Sequence, residues 1–314
     1  MKKNTLALAT VGNVNVDLIM GPVSPNLPSG TELIVEHDEL RVGGAAGNVA
    51  LAWQALGCPY QIAANIGSDH FGKWLKAEFG APAARWPAVS GGTTVSVGVT
   101  HPDGERTFLT TKGHLLTLSW PQVKEMIDWQ ALSGGVLLVC GSFLTDSLTQ
   151  DYAQMFAHAR RHDVAIALDT GWPLDDWTEA TRAKVLEWLA NCHYSLFNQI
   201  EATSLSGLND PQDAGKWLLE HMADDATVII KRGGKGAMLM RSDCLLSCPA
   251  PKVSLVDTIG AGDVFNAAFF VARAQGKGWQ EAMKTAIETA SLAISTHPRR
   301  YLPTKKPETI HEFA

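Results

Sequence analysis

No apolar run among the 314 residues approaches the roughly 20 needed to cross a bilayer. The opening Met1-Lys2-Lys3-Asn4 leads into a short alternating run rather than an apolar core with a cleavage site, which predicts no signal peptide. No block of basic residues is present. With 26 Lys+Arg against 32 Asp+Glu the formal charge is −6, a poor match for a phosphate backbone, so neither a nucleic acid nor a membrane is expected as partner. The five cysteines (Cys58, Cys140, Cys192, Cys244, Cys248) are scattered and include no CxxC, which predicts reduced, mostly buried thiols and a cytoplasmic protein. Internal repeats and low-complexity segments are also missing. What is present is a 46% hydrophobic composition with 18% charged residues, enough to build a large core.

The apolar period alternates along the chain. Strand-like runs occur at Leu6–Val11, Gln61–Ile66, Val136–Cys140, Val164–Leu168, Tyr194–Phe197 and Val228–Lys231. Amphipathic stretches lie between them at Asn48–Leu56, His70–Phe79, Leu148–Arg161, Thr178–Leu189 and Gln212–Met222. Strands alternating with helices of this length predict an α/β fold: a three-layer, doubly wound, mostly parallel sheet. Two excursions break the rhythm. Gly92–Thr100 alternates Val95, Val97 and Val99 with small residues, turns at His101-Pro102-Asp103-Gly104 and returns over Glu105–Thr111; Thr31–Val42 also reads as strand. Pattern alone fits either an edge hairpin with its valine face covered or a small separate sheet acting as a lid.

Val256-Asp257-Thr258-Ile259-Gly260-Ala261-Gly262-Asp263 is the most informative segment, lying between a strand-like Lys252–Val256 and a helical pattern that continues to Ala274. Gly260, Ala261 and Gly262 are small enough for their N–H groups to approach an anion, and the helix adds its positive end. A carboxylate beside such a hole repels phosphate but suits proton removal from a hydroxyl attacking a phosphoryl group, which is the role expected of Asp263. The plain alternative is a glycine-rich turn into a helix. A dinucleotide site would place Gly or Ala where Phe265 stands. Gly72-Lys73-Trp74 and Gly215-Lys216-Trp217 lack the Ser/Thr of a P-loop, and no G-x-S-x-G or H-E-x-x-H occurs.

Four further segments could carry chemistry. Gly43-Gly44-Ala45-Ala46-Gly47-Asn48 suits close backbone approach to a polyol, or is a loop with Asn48 capping a helix over Val49–Leu56. In Gly12–Asp17, strand alternation puts Asn13, Asn15 and Asp17 on one face, as a grip on hydroxyls or as a solvated strand end. Asn198-Gln199-Ile200-Glu201 follows a strand, where Glu201 can hold a hydrated Mg²⁺ or form a capping box with Asn198. Lys231-Arg232-Gly233-Gly234-Lys235-Gly236 lies against nucleotide phosphates or is a tight turn. His158 and His162 share a helix face without a third ligand, and Pro298–Lys306 with Arg299, Arg300, Lys305 and Lys306 reads as a solvated surface segment.

Taken in order, these segments resemble the ribokinase family, the PfkB carbohydrate kinases, from Gly12 to about Pro303. The most specific parts are Gly43-Gly44…Asn48 running on to Ile66-Gly67-Ser68-Asp69-His70-Phe71-Gly72, and Asp257-Thr258-Ile259-Gly260-Ala261-Gly262-Asp263. The resemblance implies an α/β core over 1–30, 43–91 and 112–314 and a lid over 31–42 and 92–111. It implies transfer of the ATP γ-phosphoryl group to a sugar hydroxyl, with Asp263 as base and the amides of Gly260, Ala261 and Gly262 as anion hole. Asn198 and Glu201 match the Mg²⁺ and phosphate segment; Gly233, with Lys231 and Gly236 around it, matches the nucleotide site. Asn13, Asn15, Asp17, Gly43, Gly44 and Asn48 fall at the sugar-gripping positions, and a homodimer through the lid is implied.

Ribokinases proper carry Lys where Ala45 stands and Glu where this chain has Gly141-Ser142-Phe143, so ribose is not the expected sugar. Asp169-Thr170-Gly171-Trp172-Pro173 lacks the family's common Asn and Arg, which also argues against a 2-keto-3-deoxygluconate kinase. Members activated by K⁺ have a Gly where His297-Pro298-Arg299-Arg300-Tyr301 is shorter and has none, leaving Asp257 as the one expected ligand for a monovalent cation. A nucleoside kinase, a catalytically silent sugar-binding regulator and an oxidoreductase are the competing readings.

Overall fold

The structure is a computed structural model that describes residues 6–26, 29–102 and 106–303. Its main sheet has eight strands, in the order Cys244–Cys248, Ala237–Arg241, Thr227–Lys231, Tyr194–Asn198, Ala165–Asp169, Val136–Cys140, Leu8–Gly12 and Gln61–Ala63. Neighbours from Thr227–Lys231 to Gln61–Ala63 run parallel, and the last two on the other edge form an antiparallel hairpin. Every residue of Val136–Cys140 and Leu8–Gly12 is buried, because a parallel sheet covered by crossover helices has no wet face. That is why these strands read as continuous apolar runs.

Leu8–Gly12 has Gln61–Ala63 on one side and Val136–Cys140 on the other, so the winding reverses at its end. Such a switch point opens a crevice at the carboxyl ends of the strands. Gly12 leaves the sheet at φ 152, and a side chain there would meet the Cys140 carbonyl at 2.1 Å. Only a glycine lets the chain turn out at this place.

The second sheet has four strands, ordered His37–Gly43, Asn15–Gly21, Val95–Thr100 and Arg106–Thr110. Here the expected boundaries need correcting. Residues 15–21, assigned to the core with the rest of 1–30, pair in this small sheet: the chain breaks at Asn13 and Val14 and starts a new strand. The strand foreseen over Thr31–Val42 begins only at His37, since its partner ends at Gly21, ahead of Pro22, which has no N–H to extend the ladder. Lys252–Val256 is not a strand either. It is exposed, and Val256 donates its N–H to the Ile294 carbonyl instead of to a neighbouring strand.

The two faces of the small sheet are chemically distinct. Register places Arg41 opposite Asp17, Asp17 opposite Ser96 and Ser96 opposite Thr110, a polar row on one face. Leu40, Leu18, Val97 and Leu109 align in the same way on the other. The hairpin's covered face is therefore not the expected one: Val95, Val97 and Val99 are half-buried, while Ser96 and Gly98 lie inside. Ile19 and Phe108 close on Gly98, where a Cβ would sit 2.7 Å from Ile19 Cδ1.

Candidate active site

The helix Ala261–Ala274 starts from Gly260, whose left-handed backbone (φ 71) turns the chain sharply into it. A Cβ on Gly260 would lie 2.8 Å from Asn48 Nδ2, so a side chain here would push against the neighbouring loop. Asp263 sits in the first turn and accepts a hydrogen bond from Asn48 Nδ2 at 2.8 Å. Burial raises its pKa to about 7; the charge of Asp169 adds to this, while Asn48, Lys231 and Arg299 oppose it. A carboxylate poised near neutrality suits a general base.

Asn48 reaches Asp263 because it lies within the helix Ala45–Ala55. It is not the helix cap, as the alternative reading of the sequence had it; Gly44, at φ 84, holds that position. The helix starts three residues earlier than its apolar pattern because Ala45, Ala46 and Gly47 carry too little hydrophobic signal to mark the first turn.

A cleft of about 410 Å³ runs from Asp263 across the strand ends. That volume fits a small organic ligand or nucleotide. Asn198, Glu201, Lys231, Gly233, Gly236, Gly260, Ala261, Gly262 and Asp263 all line it, so the structure brings together every residue expected on the nucleotide side. Ala250, Ile287, Ala290 and Ile294 form an apolar wall. Asn198 and Glu201 are a capping box as well: Asn198 Oδ1 accepts from the Glu201 N–H at 2.9 Å, and Glu201 Oε2 accepts from the Asn198 N–H at 2.7 Å. Glu201 is buried, and burial with the nearby Asp169 charge lifts its pKa to about 7.

Asp169 is a residue that sequence reasoning missed. It ends the strand Ala165–Asp169, accepts from Lys231 Nζ at 2.7 Å and from Asn266 Nδ2 at 2.5 Å, and lines the cleft. Burial alone would lower the Lys231 pKa, but Asp169 and Glu201 reverse the direction and keep it charged. An acid closing a buried strand was the available signal. Lys231 Nζ also stands 3.1 Å from where a Cβ on Gly262 would be, which puts the ammonium beside the Gly260–Gly262 turn.

The other expected residues gather between the core and the small sheet. Asn13 Oδ1 accepts from the Ala45 N–H at 3.1 Å, tying the first strand end to the Gly43-Gly44 turn. Asn15 Nδ2 donates to Asp17 Oδ1 at 2.8 Å. Asp17 is pressed against Gly43, where a Cβ would be 2.0 Å from Asp17 Oδ1. Burial raises Asp17 to about 6, against the pull of Arg41 and the Asn15 hydrogen bond.

Asp257 is differently placed from the expectation of a monovalent-cation ligand. It is ringed by guanidinium groups: Arg41 Nη1 at 2.5 Å, Arg299 Nη2 at 2.8 Å and Arg106 Nη1 at 3.4 Å. Although burial pushes the other way, the Ile259 N–H, Arg41 and Arg299 hold its pKa below the ordinary carboxylate range. A carboxylate so neutralised has no negative charge to spare for a metal cation. Arg299 also corrects the reading of the tail as solvated surface, since it donates to the Ile259 carbonyl at 2.6 Å. Lys305 and Lys306 lie outside the described residues. His158 and His162 pack on Trp129, and no cluster of three metal-binding side chains occurs among the described residues.

Residues 6–305 match the pfkB family carbohydrate kinase model. A 1-phosphofructokinase of Haloferax volcanii is 28% identical over 80% of this chain and 79% of its own length. A Bacillus subtilis ribokinase is 25% identical over 91% and 92%. Among solved structures, an adenosine kinase from Sinorhizobium meliloti superposes with TM-score 0.79 at 20% identity, covering 95% of this chain and 97% of the other. An Arabidopsis thaliana ribokinase complexed with ribose and ATP gives TM-score 0.76 at 22% identity, covering 93% of each. The fold is ribokinase-like, a large mostly parallel sheet with a small one set against it. The chain belongs to the pfkB family of carbohydrate kinases, and it is a sugar kinase by that membership.

Proposed function

We propose that this enzyme transfers the γ-phosphoryl group of ATP to a hydroxyl of a sugar or related polyol. The observation that carries this reading is the contact between Asn48 and Asp263 at the foot of the Gly260–Gly262 turn, with the 410 Å³ cleft opening from it. Asp263 takes the proton from the attacking hydroxyl. The amides of Gly260, Ala261 and Gly262, with Lys231 beside them, stabilise charge on the group in flight. Asn13, Asn15, Asp17, Gly43, Gly44 and Asn48 orient the acceptor, and the Asn198–Glu201 turn and the Gly233–Gly236 turn hold the nucleotide.

Mg²⁺ fits the chemistry of this cleft. Asp169 and Glu201 bring two buried carboxylates into it, and Mg²⁺ is commonly held by one or two carboxylates with water and substrate phosphates completing its shell. These two residues would hold it, Glu201 through water, and the ion would neutralise phosphate charge. A homodimer is supported by the apolar row Leu40, Leu18, Val97 and Leu109, whose outer members Leu40 and Leu109 are exposed in the single chain. ATP as donor favours the cytoplasm as the site of action.

ADP release is the test: purified protein is incubated with Mg-ATP and pooled sugars, sugar derivatives or nucleosides. Acceptor-dependent ADP release is the expected result, and the pool that gives it separates a sugar kinase from a nucleoside kinase. ATP binding with no turnover on any pool would overturn the reading.

A further inference from the structure

The two arginines of the small sheet and the one that follows the last helix converge on a single place. Arg41 and Arg106 come from different strands on the polar face of the sheet; Arg299 comes from the far end of the chain. All are largely removed from water, with side chains 18%, 23% and 18% exposed. Among the described residues their ion pairs are with Asp257, and for Arg41 also with the rim residue Glu39 at 3.6 Å. Three cations thus share two directly paired carboxylates, one of them outlying, while the charges of Asp17 and Asp263 reach Arg41 and Arg299 without forming an ion pair. Withdrawing like charges from water without matching anions is costly. Arg41 shows the deficit directly, since its Nη2 is buried and has no hydrogen-bond partner among the described residues.

The cluster borders the acceptor site. Arg41 is the register partner of Asp17. Arg299 Nη1 stands 3.4 Å from where a Cβ on Gly260 would be, on the flank of the turn that Asn48 also touches. An acceptor gripped by Asp17 and Asn15, with one hydroxyl at Asp263, would have its remaining end among these guanidiniums. Guanidinium forks match carboxylate and phosphate oxygens in geometry as well as charge.

We infer that the acceptor carries an anionic group, a carboxylate or a phosphate monoester, and that Arg41, Arg106 and Arg299 form the subsite that holds it. This rests on the phosphoryl-transfer reading above and narrows its substrate class. The anion completes the pairing that Asp257 and Glu39 leave unfinished.

Three acceptor sets test this: neutral pentoses and hexoses, the matching aldonic acids, and the matching phosphate monoesters. Each is assayed for ADP release with Mg-ATP, and for a rise in melting temperature without nucleotide. One of the two anionic sets is expected to exceed the neutral set in kcat/KM by roughly 10²-fold, the worth of a charged hydrogen bond at this scale. Which set responds identifies the group. Arg41→Ala is expected to erase that preference chiefly through KM, and Arg41→Lys to restore part of it. Preferred turnover of the neutral set, or an equal loss on all sets in Arg41→Ala, would overturn the subsite and leave the kinase reading standing. Arg41-dependent binding of an anionic set without ADP release would keep the subsite and overturn phosphoryl transfer. No binding by either anionic set would also overturn the subsite.

Discussion

Asn48 donates its side-chain amide to the carboxylate of Asp263 across 215 residues of sequence. The contact fixes which way the carboxylate faces and favours its ionised form. It also links the Gly43-Gly44 turn, proposed to meet the acceptor, to the Gly260–Gly262 turn, proposed to meet the phosphoryl group.

Replacing Asp263 with Asn keeps the size of the side chain and removes its basicity. Turnover is expected to fall by roughly 10²–10⁴, the usual worth of a positioned base, with ATP affinity little changed. Single-turnover kinetics and nucleotide titration check this; near-normal turnover would refute the role.

With the Asp263 pKa near 7, kcat/KM is expected to rise with pH through neutrality as the base loses its proton. The Asn48 hydrogen bond lowers that pKa, so Asn48→Ala should move the acid limb of the pH profile to higher pH. A limb that stays in place belongs to another group.

Asp17, Glu201 and Asp263 all have raised pKa values, about 6, 7 and 7. The folded protein therefore keeps protons that the unfolded chain has released by about pH 5, and stability from these groups is lost as pH rises toward 7. His114, His158 and His193, which burial shifts downward, favour the folded state as pH rises through the same window, so the acids are isolated by variant: Asp263→Asn should make the change in melting temperature from pH 5 to pH 8 less destabilising than in the parent. Asp257 and Asp69 are shifted downward and act in the opposite sense only at more acidic pH. Calorimetry at low ionic strength measures the difference, and identical profiles would mean Asp263 is better solvated than its burial implies.

Arg299 Nη2 lies 2.8 Å from Asp257 Oδ2 and 2.6 Å from the Ile259 carbonyl, supplying a fixed cation at the foot of the Gly260–Gly262 turn. Turnover is expected to be the same in K⁺ and in tetramethylammonium salts. A strong stimulation by K⁺ would show that the guanidinium gives way.

Leu109 is 63% exposed at the end of the apolar row of the small sheet. Leu109→Asp should make the proposed dimer a monomer in sedimentation equilibrium, since a charge carried into an apolar contact is desolvated without a partner. An unchanged mass would place the dimer contact elsewhere, or exclude a dimer if the parent is a monomer as well.

Much of the architecture is set by the order of residues alone. Val136–Cys140 and His70–Phe79 run as their apolar periods predict, and the turn before Ala261–Ala274 is marked by its two glycines. These are local signals, carried by residues a few positions apart, and local backbone preference decides them. Alternation in Asn15–Gly21 likewise tells which residues share a face, but not which sheet the strand joins, because pairing is chosen by the partner's edge. The guanidinium ring around Asp257 was illegible for a related reason. Its members lie 216, 151 and 42 residues away, and each alone looks like an ordinary surface charge. Only the packing of the small sheet on the core brings them together and takes them out of water, and it is that desolvation which makes their charge a demand for a ligand.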